Sequence, residues 1–159
     1  MNRPVHQILL LAITLVCSSA HAESLLGPGD HFPEFEASDQ HGETYRFGTD
    51  TRTVLIAFDM SSSKAANGIL ADRGAAYLDD HRAVFISNVY GMPGIGRVFA
   101  IPKMRKYPHR IVLADDMALL QPFPQRAGHI TVMRLTDGGV IESVRFWDPA
   151  ADMLEKYLE

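Results

Sequence analysis

Two stretches of apolar sequence limit most strongly the folds that this chain can adopt. Residues 53–58 read TVLIAF and residues 83–89 read AVFISNV, with β-branched side chains in both. Strands of this composition are typically buried on both faces, as in a parallel sheet covered by other layers. The pattern therefore predicts two central strands of an α/β protein.

The segment between the two strands is predicted to form a helix. A serine hydroxyl within residues 61–63 can cap its first free amides, and the helix is expected to run to about Asp80. Its inner side is expected to carry Ala66, Ile69, Leu70 and Tyr77. After the second strand, residues 91–96 predict a loop, and Pro102 is expected to interrupt or bend the short helix that follows.

The second half of the chain predicts three more strands. Residues 110–114 indicate a third strand, and residues 117–120 indicate one helical turn. Residues 129–135 and 140–147 indicate two antiparallel strands, because Asp, Gly and Gly at 137–139 are typical of a hairpin turn. Strands that alternate with helices and end in an antiparallel hairpin indicate a mixed sheet.

Short elements are predicted at both ends of the domain. Residues 35–37 and 44–47 flank a turn at 40–42, which indicates a small β-hairpin. Asp148 is expected to cap a last helix with Pro149 at its first position. The apolar face of that helix is expected to consist of Met153, Leu154 and Tyr157. The element order predicts a three-layer α/β sandwich with a mixed central sheet and an N-terminal β-hairpin.

Residues 1–22 predict a cleaved signal peptide. Arg3 supplies a positive charge, residues 8–16 form an apolar core too short to span a bilayer, and residues 20–22 fit a cleavage site. Cys17 is the only cysteine and lies inside this leader, after a valine that does not favour lipoprotein processing. We expect an exported, periplasmic protein whose mature chain, residues 23–159, is one domain without cysteine.

The charge of the chain limits its partners. The formal net charge is −4, from 15 basic and 19 acidic residues, and loss of Arg3 with the leader makes it one charge more negative. A mildly acidic protein without a basic cluster is not expected to bind nucleic acid or anionic lipid. No segment after the leader is apolar enough to span a bilayer, so we expect no membrane insertion.

Short motifs precede the first buried strand: Gly29, Asp30, Phe32, Pro33 and Phe35, then Asp39, His41 and Gly42. Together with the element order, they resemble the peroxiredoxin and TlpA branch of the thioredoxin superfamily. The resemblance implies a thioredoxin-like fold and a reactive cysteine at the start of the helix after the strand. Residues 59–64 read DMSSSK instead, and residues 129–131 lack the proline that the family has there in the cis form. These two losses predict that thiol–disulfide chemistry is absent.

A second set of residues follows a narrower pattern. The set is Ser63, Lys64 and Asn67, residues 86–88, Pro93, Gly94 and Gly96, and Tyr107 with Pro108. It resembles the cysteine-less, periplasmic YtfJ-like proteins. The resemblance implies the fold and an exported location, and it implies no reaction that can be carried over residue by residue.

A thioredoxin-like sheet without its redox chemistry still has a surface beside the former active-site loop. We predict that this surface binds another exported protein or a peptide, and we expect no cofactor and no thiol redox activity. The candidate residues are Asp59, Met60, Ser61, Ser62, Ser63, Lys64, Met92, Pro93 and His129. The basic run at 103–106 is interpreted as a solvated face.

A small-ligand or copper carrier is the first alternative function. Thioether and imidazole groups suit copper, and Met60, Met92 and His129 are the candidate ligands that tertiary folding would have to bring together. No two histidines have the spacing of a helical metal site. Most of the methionines are interpreted as core residues.

Two enzymatic or cofactor-binding alternatives rank below the carrier. Glycines within residues 94–96, with Asp115 about twenty residues later, superficially match a dinucleotide site in which the acid binds a ribose hydroxyl. A serine of residues 61–63 could act as a nucleophile with His129 as its base and Asp59 nearby. The sequence lacks the sharp Gly-x-Ser-x-Gly turn of many hydrolases.

Overall fold

The computed structural model describes residues 25–158, which form seven strands and five helices. The strands are β1 (Glu36–Ser38), β2 (Thr44–Arg46), β3 (Thr53–Ala57), β4 (Ala83–Asn88), β5 (Val112–Ala114), β6 (Ile130–Leu135) and β7 (Ile141–Trp147). The helices are α1 (Met60–Arg73), α2 (Tyr77–Asp80), α3 (Gly94–Met104), α4 (Met117–Leu120) and α5 (Glu155–Leu158). None of these helices has both the length and the apolar character needed to cross a membrane. The predicted signal peptide with Cys17 lies outside the described residues.

Five strands form one mixed sheet in the order β5-β4-β3-β6-β7. Strands β3, β4 and β5 run parallel, β6 pairs antiparallel with β3, and β7 pairs antiparallel with β6. In the central strand, Val54 lies between Val84 of β4 and Met133 of β6. Every residue of β3 is buried, which confirms the prediction of a strand covered on both faces.

Alternating side chains of the sheet divide the core into two parts. On one face, Leu55 and Phe85 pack with residues of α1, α2, α5 and the turn before α5, among them Ala66, Leu70, Leu78, Leu154 and Tyr157. On the other face, Val54 and Ile56 belong to a cluster with Phe32, Phe35, Phe47, Leu120 and Phe123. The sheet is therefore the middle one of three layers, as predicted.

Strands β1 and β2 form the predicted N-terminal hairpin, which is a separate two-stranded sheet. The carboxylate of Asp39 accepts the backbone N–H of His41 at 2.8 Å and so closes the turn. Gln40 is buried and ties this turn to the segment before β5. Its amide nitrogen donates to the His109 carbonyl at 2.8 Å, and its amide oxygen accepts the Ile111 N–H at 2.8 Å.

Helix α1 begins and ends differently from the prediction. The carboxylate of Asp59, and not a serine hydroxyl, caps the helix by accepting the Ser62 N–H at 2.8 Å. The helix ends at Arg73 rather than near Asp80, because Gly74 follows with a φ of 94°, which glycine adopts without steric cost. The chain then forms α2 as a separate short helix.

Helix α3 begins at Gly94, inside the segment that was expected to be a loop, and continues through Pro102. The expected interruption at this proline does not occur. Proline lacks the N–H that would bind the carbonyl of Val98. Val98 is 64% exposed, so the missing hydrogen bond lies on a part of the helix that faces solvent.

The C-terminal hairpin of β6 and β7 is confirmed, but the last helix starts later than predicted. The Asp148 carboxylate caps a tight turn, and its carbonyl accepts the Asp152 N–H at 2.9 Å. Because this turn consumes the residues after Pro149, α5 begins only at Glu155. Met153 is exposed and does not belong to the predicted apolar face, whereas Leu154 and Tyr157 are buried as expected.

Candidate functional site

A cleft opens between α1 and α3. Its volume is about 440 Å³, a size typical of small-ligand sites. Its lining consists of Met60, Ser63, Lys64, Asn67, Ser87, Asn88, Met92, Gly96, Phe99, Ala100, Lys103, Met104 and Tyr107. We refer to this cavity as the α1–α3 cleft. Four of the residues predicted for a binding surface line it, namely Met60, Ser63, Lys64 and Met92.

Asp59 fixes the start of α1 and does not line the cleft. Its Oδ1 accepts the Ser61 hydroxyl at 2.6 Å and the Ser62 N–H at 2.8 Å, and its Oδ2 accepts the Gly128 N–H at 3.1 Å. Burial acts to raise the pKa of Asp59, but these hydrogen bonds outweigh it and lower the pKa to about 2. The carboxylate is therefore charged at neutral pH, and protein donors occupy its oxygens.

The three consecutive serines differ in exposure. Ser61 is exposed, whereas Ser62 and Ser63 are 3% and 5% exposed. The Ser62 hydroxyl donates to the Asp59 carbonyl at 3.2 Å, and the Ser63 hydroxyl lies 2.9 Å from that of Ser87. Ser61 is therefore the one serine of this run that presents its side chain to solvent.

A chain of buried polar side chains forms the floor of the cleft. The Asn67 amide nitrogen donates to the Ser63 carbonyl at 2.8 Å and approaches the Ser63 hydroxyl at 3.3 Å. The Asn67 oxygen lies 2.9 Å from Nε2 of His109. Because an amide oxygen only accepts hydrogen bonds, the His109 proton is on Nε2.

His109 is 1% exposed and lies at the inner end of this polar chain. Its Nδ1 is buried and has no hydrogen-bond partner among the described residues. Burial lowers the pKa of His109 to about 4, because a charged imidazolium is poorly solvated there. The ring is therefore neutral at physiological pH.

Helix α3 forms one wall of the cleft, and none of its residues is buried. Ile95, Val98 and Phe99 are 70%, 64% and 63% exposed, and Met60 of α1 is 66% exposed. A Cβ at Gly96 would lie 3.2 Å from Cγ of Met92, so a small residue fits this part of the cleft wall. Of these four residues, Met60 and Phe99 line the cleft, and large apolar side chains exposed at a groove are typical of interaction sites.

Arg97 attaches α3 to the sheet. Its guanidinium forms a two-pronged ion pair with Asp115 and donates to the carbonyls of Val89 at 3.0 Å and Met92 at 3.3 Å. The hydrogen bonds from Arg97 lower the pKa of Asp115. The acid that the nucleotide hypothesis assigned to a ribose hydroxyl is thus bound to an arginine of this chain.

His129 and Pro93 lie outside the cleft lining. Nδ1 of His129 lies 2.9 Å from the carbonyl of Ala127, and Pro93 precedes α3 as its N-cap residue. The Ser-His-Asp arrangement places a histidine between the serine and the carboxylate. Here the Asp59 carboxylate accepts the Ser61 hydroxyl directly, which is a different arrangement.

The residues of the copper hypothesis are only partly brought together. Met60 and Met92 line the same cleft, and His129 does not. Within residues 25–158, no group of three or more His, Cys, Asp or Glu residues is placed to hold a metal ion.

Several lining residues were not singled out as site residues from the sequence. They are Asn67, Ser87, Asn88, Phe99, Ala100, Lys103, Met104 and Tyr107, whereas Gly96 was considered for a nucleotide site. Lys103 was interpreted as part of a solvated face, yet it lines the cleft. The helical spacing of positions 96, 99, 100, 103 and 104 was the available signal, because such positions share one helix face.

No family model and no curated protein matches the chain. Solved structures do match. The thioredoxin domain of a thiol-disulfide oxidoreductase from Bacteroides vulgatus aligns with a TM-score of 0.56 and 17% identity, over 84% of this chain and 99% of that chain. Peroxidoxin BcpB from Mycobacterium tuberculosis aligns with a TM-score of 0.52 and 14% identity, over 84% of this chain and 94% of that chain. The chain has a thioredoxin-like fold.

This likeness confirms the fold that the N-terminal motifs implied, and at such low identity it extends to the fold alone. The chain contains one cysteine, Cys17, so it has no second cysteine with which to form an internal disulfide. The described residues also contain no cis peptide bond, and Thr131 stands near the position where the family has its cis-proline.

Proposed function

We propose that the protein is an exported thioredoxin-fold binding protein that holds a polypeptide segment of another exported protein in the α1–α3 cleft. The observation that carries this proposal is α3, an apolar helix without a buried residue that lines a cleft together with exposed Met60. We also infer that the chain is a pseudoenzyme of the cysteine-less, YtfJ-like branch and works without thiol redox chemistry.

Exposed apolar side chains in the cleft favour a ligand that contributes apolar groups of its own. Burial of a side chain the size of Phe99 contributes about 1.5–3 kcal/mol. Met60, Met92 and Met104 all line the cleft, and unbranched methionines adapt to partners of different shape. A groove of this composition suits a peptide with apolar anchor residues.

The proposal that thiol chemistry is absent rests on the cysteine count and on the serine run. Removal of the predicted signal peptide would leave a mature chain without cysteine. Ser62 and Ser63 are buried, and their hydroxyl groups form hydrogen bonds within the protein. In addition, a serine hydroxyl cannot form a disulfide. We expect purified residues 23–159 to leave insulin reduction by dithiothreitol at its background rate. Accelerated reduction would contradict the proposal.

Two equally exposed methionines provide a matched test of the binding surface. Met60 and Met153 are 66% and 64% exposed, but only Met60 lines the cleft. Tagged full-length protein is crosslinked in cells as wild type, Met60→Glu and Met153→Glu. We expect a partner that wild type and Met153→Glu capture and that Met60→Glu loses. Equal capture by both variants would place the partner on another surface and overturn the proposal.

A small-ligand or metal carrier is the second candidate function, and the methionine pair in the cleft favours it. The thioethers of Met60 and Met92 are soft ligands that suit copper(I). Calorimetric titration of the mature protein with copper(I) is compared with Met60→Leu/Met92→Leu, which keeps the apolar bulk. Heat that disappears in the double variant supports the carrier, and no heat in the wild type eliminates it for copper.

A further inference from the structure

The charges that line the α1–α3 cleft are all positive. Lys64 extends from α1 and Lys103 from α3, and no Asp or Glu lines the cavity. Two other cavities combine both signs of charge. One is lined by Arg46, Arg82 and Arg110 together with Asp50 and Asp79. The other is lined by Arg97 together with Glu34, Glu36, Asp115 and Asp116. The purely cationic lining distinguishes the α1–α3 cleft from both.

Both lysines are available to a ligand. Lys64 and Lys103 are exposed, and neither ammonium group has an ion-pair partner among residues 25–158. Asp59 precedes α1, but its carboxylate is occupied by three protein donors. No acidic residue occurs between Asp80 and Asp115, although the whole chain has a net charge of −4. The cleft is therefore a cationic site on an acidic protein.

We infer, on the basis of the proposed function, that the cleft selects acidic apolar peptides, in which Asp or Glu stands beside a large apolar side chain. The apolar side chain packs among Met60, Met92 and Phe99, and the carboxylate lies at the rim with Lys64 and Lys103. Ion pairs at an exposed rim contribute less than apolar burial. The apolar contacts therefore supply most of the affinity, and the lysines determine which peptides bind.

The test uses fluorescently labelled peptides of equal length that share the same Leu and Phe residues and carry Glu, Gln or Lys between them. Binding of each peptide to the mature protein is measured by fluorescence polarisation at low and high salt. We expect the Glu peptide to bind about three- to fivefold more tightly than the Gln peptide at low salt, and the difference to shrink at high salt.

A charge-reversal variant and a matched control test whether the two lysines of the cleft cause the preference for the Glu peptide. Lys64→Glu/Lys103→Glu is compared with Lys106→Glu/Lys156→Glu, which changes the net charge equally at exposed positions outside the cleft. We expect the first variant to lose the preference for the Glu peptide and to prefer the Lys peptide. The control variant is expected to keep the wild-type order. Circular dichroism confirms that both variants are folded.

The outcomes separate this inference from the proposed function. Tight binding of all three peptides, lost in Met60→Glu, overturns the charge selectivity and leaves the binding function intact. If no peptide binds, and if Met60→Glu and Met153→Glu crosslink the partner equally, both the charge selectivity and the proposed binding function are overturned. Binding to vesicles of anionic phosphatidylglycerol, without binding to any peptide, overturns the inference in favour of a lipid surface.

Discussion

Helices α1 and α3 occupy similar places in the chain, since each follows a parallel strand of the sheet, yet they are held by different means. Helix α1 buries Ser62, Ser63, Ala66, Asn67 and Leu70, whereas α3 buries no residue. Packing therefore holds α1 along much of its length. Helix α3 is attached near its start by Arg97, through the ion pair with Asp115 and two backbone carbonyls.

This difference separates residues that stabilise the fold from residues that are free for binding. Burial of apolar area is the main favourable contribution to folding, so an apolar helix that stays exposed contributes little to it. The exposed Ile95, Val98 and Phe99 contribute little to folding, which agrees with the proposed role of α3 in binding. The elements that bind ligands are often the less stable ones, which agrees with the weak attachment of α3.

The largest expected effect compares one apolar residue from each helix. Leu70→Ala in α1 should lower the free energy of unfolding by about 2–5 kcal/mol, because it leaves a cavity in the core. Phe99→Ala in α3 should change it by less than about 0.5 kcal/mol, because Phe99 is 63% exposed. Urea unfolding measures both values. Equal losses would show that α3 is packed as firmly as α1 and would break the comparison.

A second prediction concerns the pH dependence of the polar floor beneath α1. Because the pKa of His109 falls from 6.5 in the unfolded chain to about 4 in the fold, the unfolded state binds more protons between these values. Stability should be full above pH 6.5, decrease by up to about 3 kcal/mol as the pH falls towards 4, and change no further below it through this group.

His109→Gln provides the control for this pH effect. It removes the titrating group, and a glutamine amide can still donate to the Asn67 oxygen. We compare the slopes of stability against pH between 4 and 6.5, so a general loss of stability in the variant does not obscure the result. An unchanged slope in His109→Gln would assign the pH dependence to other groups.

A smaller effect is expected at the start of α1. Asp59→Ala removes the N-cap and should cost about 1 kcal/mol, whereas Asp59→Asn should recover only part of this cost, because its single, uncharged amide oxygen can accept the Ser62 N–H but not also the Gly128 N–H that Oδ2 accepts. The pKa of Asp59 is lowered to about 2. The cost of Asp59→Ala measured by urea unfolding should therefore persist above pH 3.8 and decrease as the pH falls towards 2. A cost that stayed constant over this range would contradict the role of the charge.

The smallest effect on global stability is expected for the attachment of α3. Arg97→Ala removes the ion pair with Asp115 on the protein surface, so we expect local opening of α3 rather than unfolding of the domain. Hydrogen exchange should become faster in α3 and remain unchanged in α1. Lys103→Ala, on the same helix, serves as the control and should leave the exchange of α3 as in wild type. Faster exchange in both helices would mean that Arg97 stabilises more than α3.

Much of the fold could be predicted because it depends on local patterns. The strands at residues 53–57 and 83–88 and the helical turn Met117–Leu120 follow from apolar runs and turn residues that are adjacent in sequence. The errors concern the starts and ends of helices. Asp59 caps α1 in place of a serine, and the turn at Asp148 delays α5, because several capping residues compete within a few positions.

The candidate site was predictable on the side of α1 and much less so on the side of α3. Met60, Ser63 and Lys64 follow the buried strand directly, where the family motif directs attention, and they line the cleft. Phe99 and Lys103 lie beyond the predicted loop and on either side of Pro102, which was expected to interrupt or bend the helix. Phe99 and Lys103 share one face because the helix continues through Pro102.

The sequence by itself determined the strands, the layered architecture and the single cysteine, since these depend on residue type and short-range periodicity. The tertiary structure alone decided which distant side chains meet. Asn67 reaches His109 across 42 residues, and Arg97 reaches Asp115 across 18. The cleft itself forms where α3 lies beside α1, with no α3 residue fully buried and with Met104 only partly buried against the core. Such contacts depend on the path of the whole chain, which no local pattern specifies.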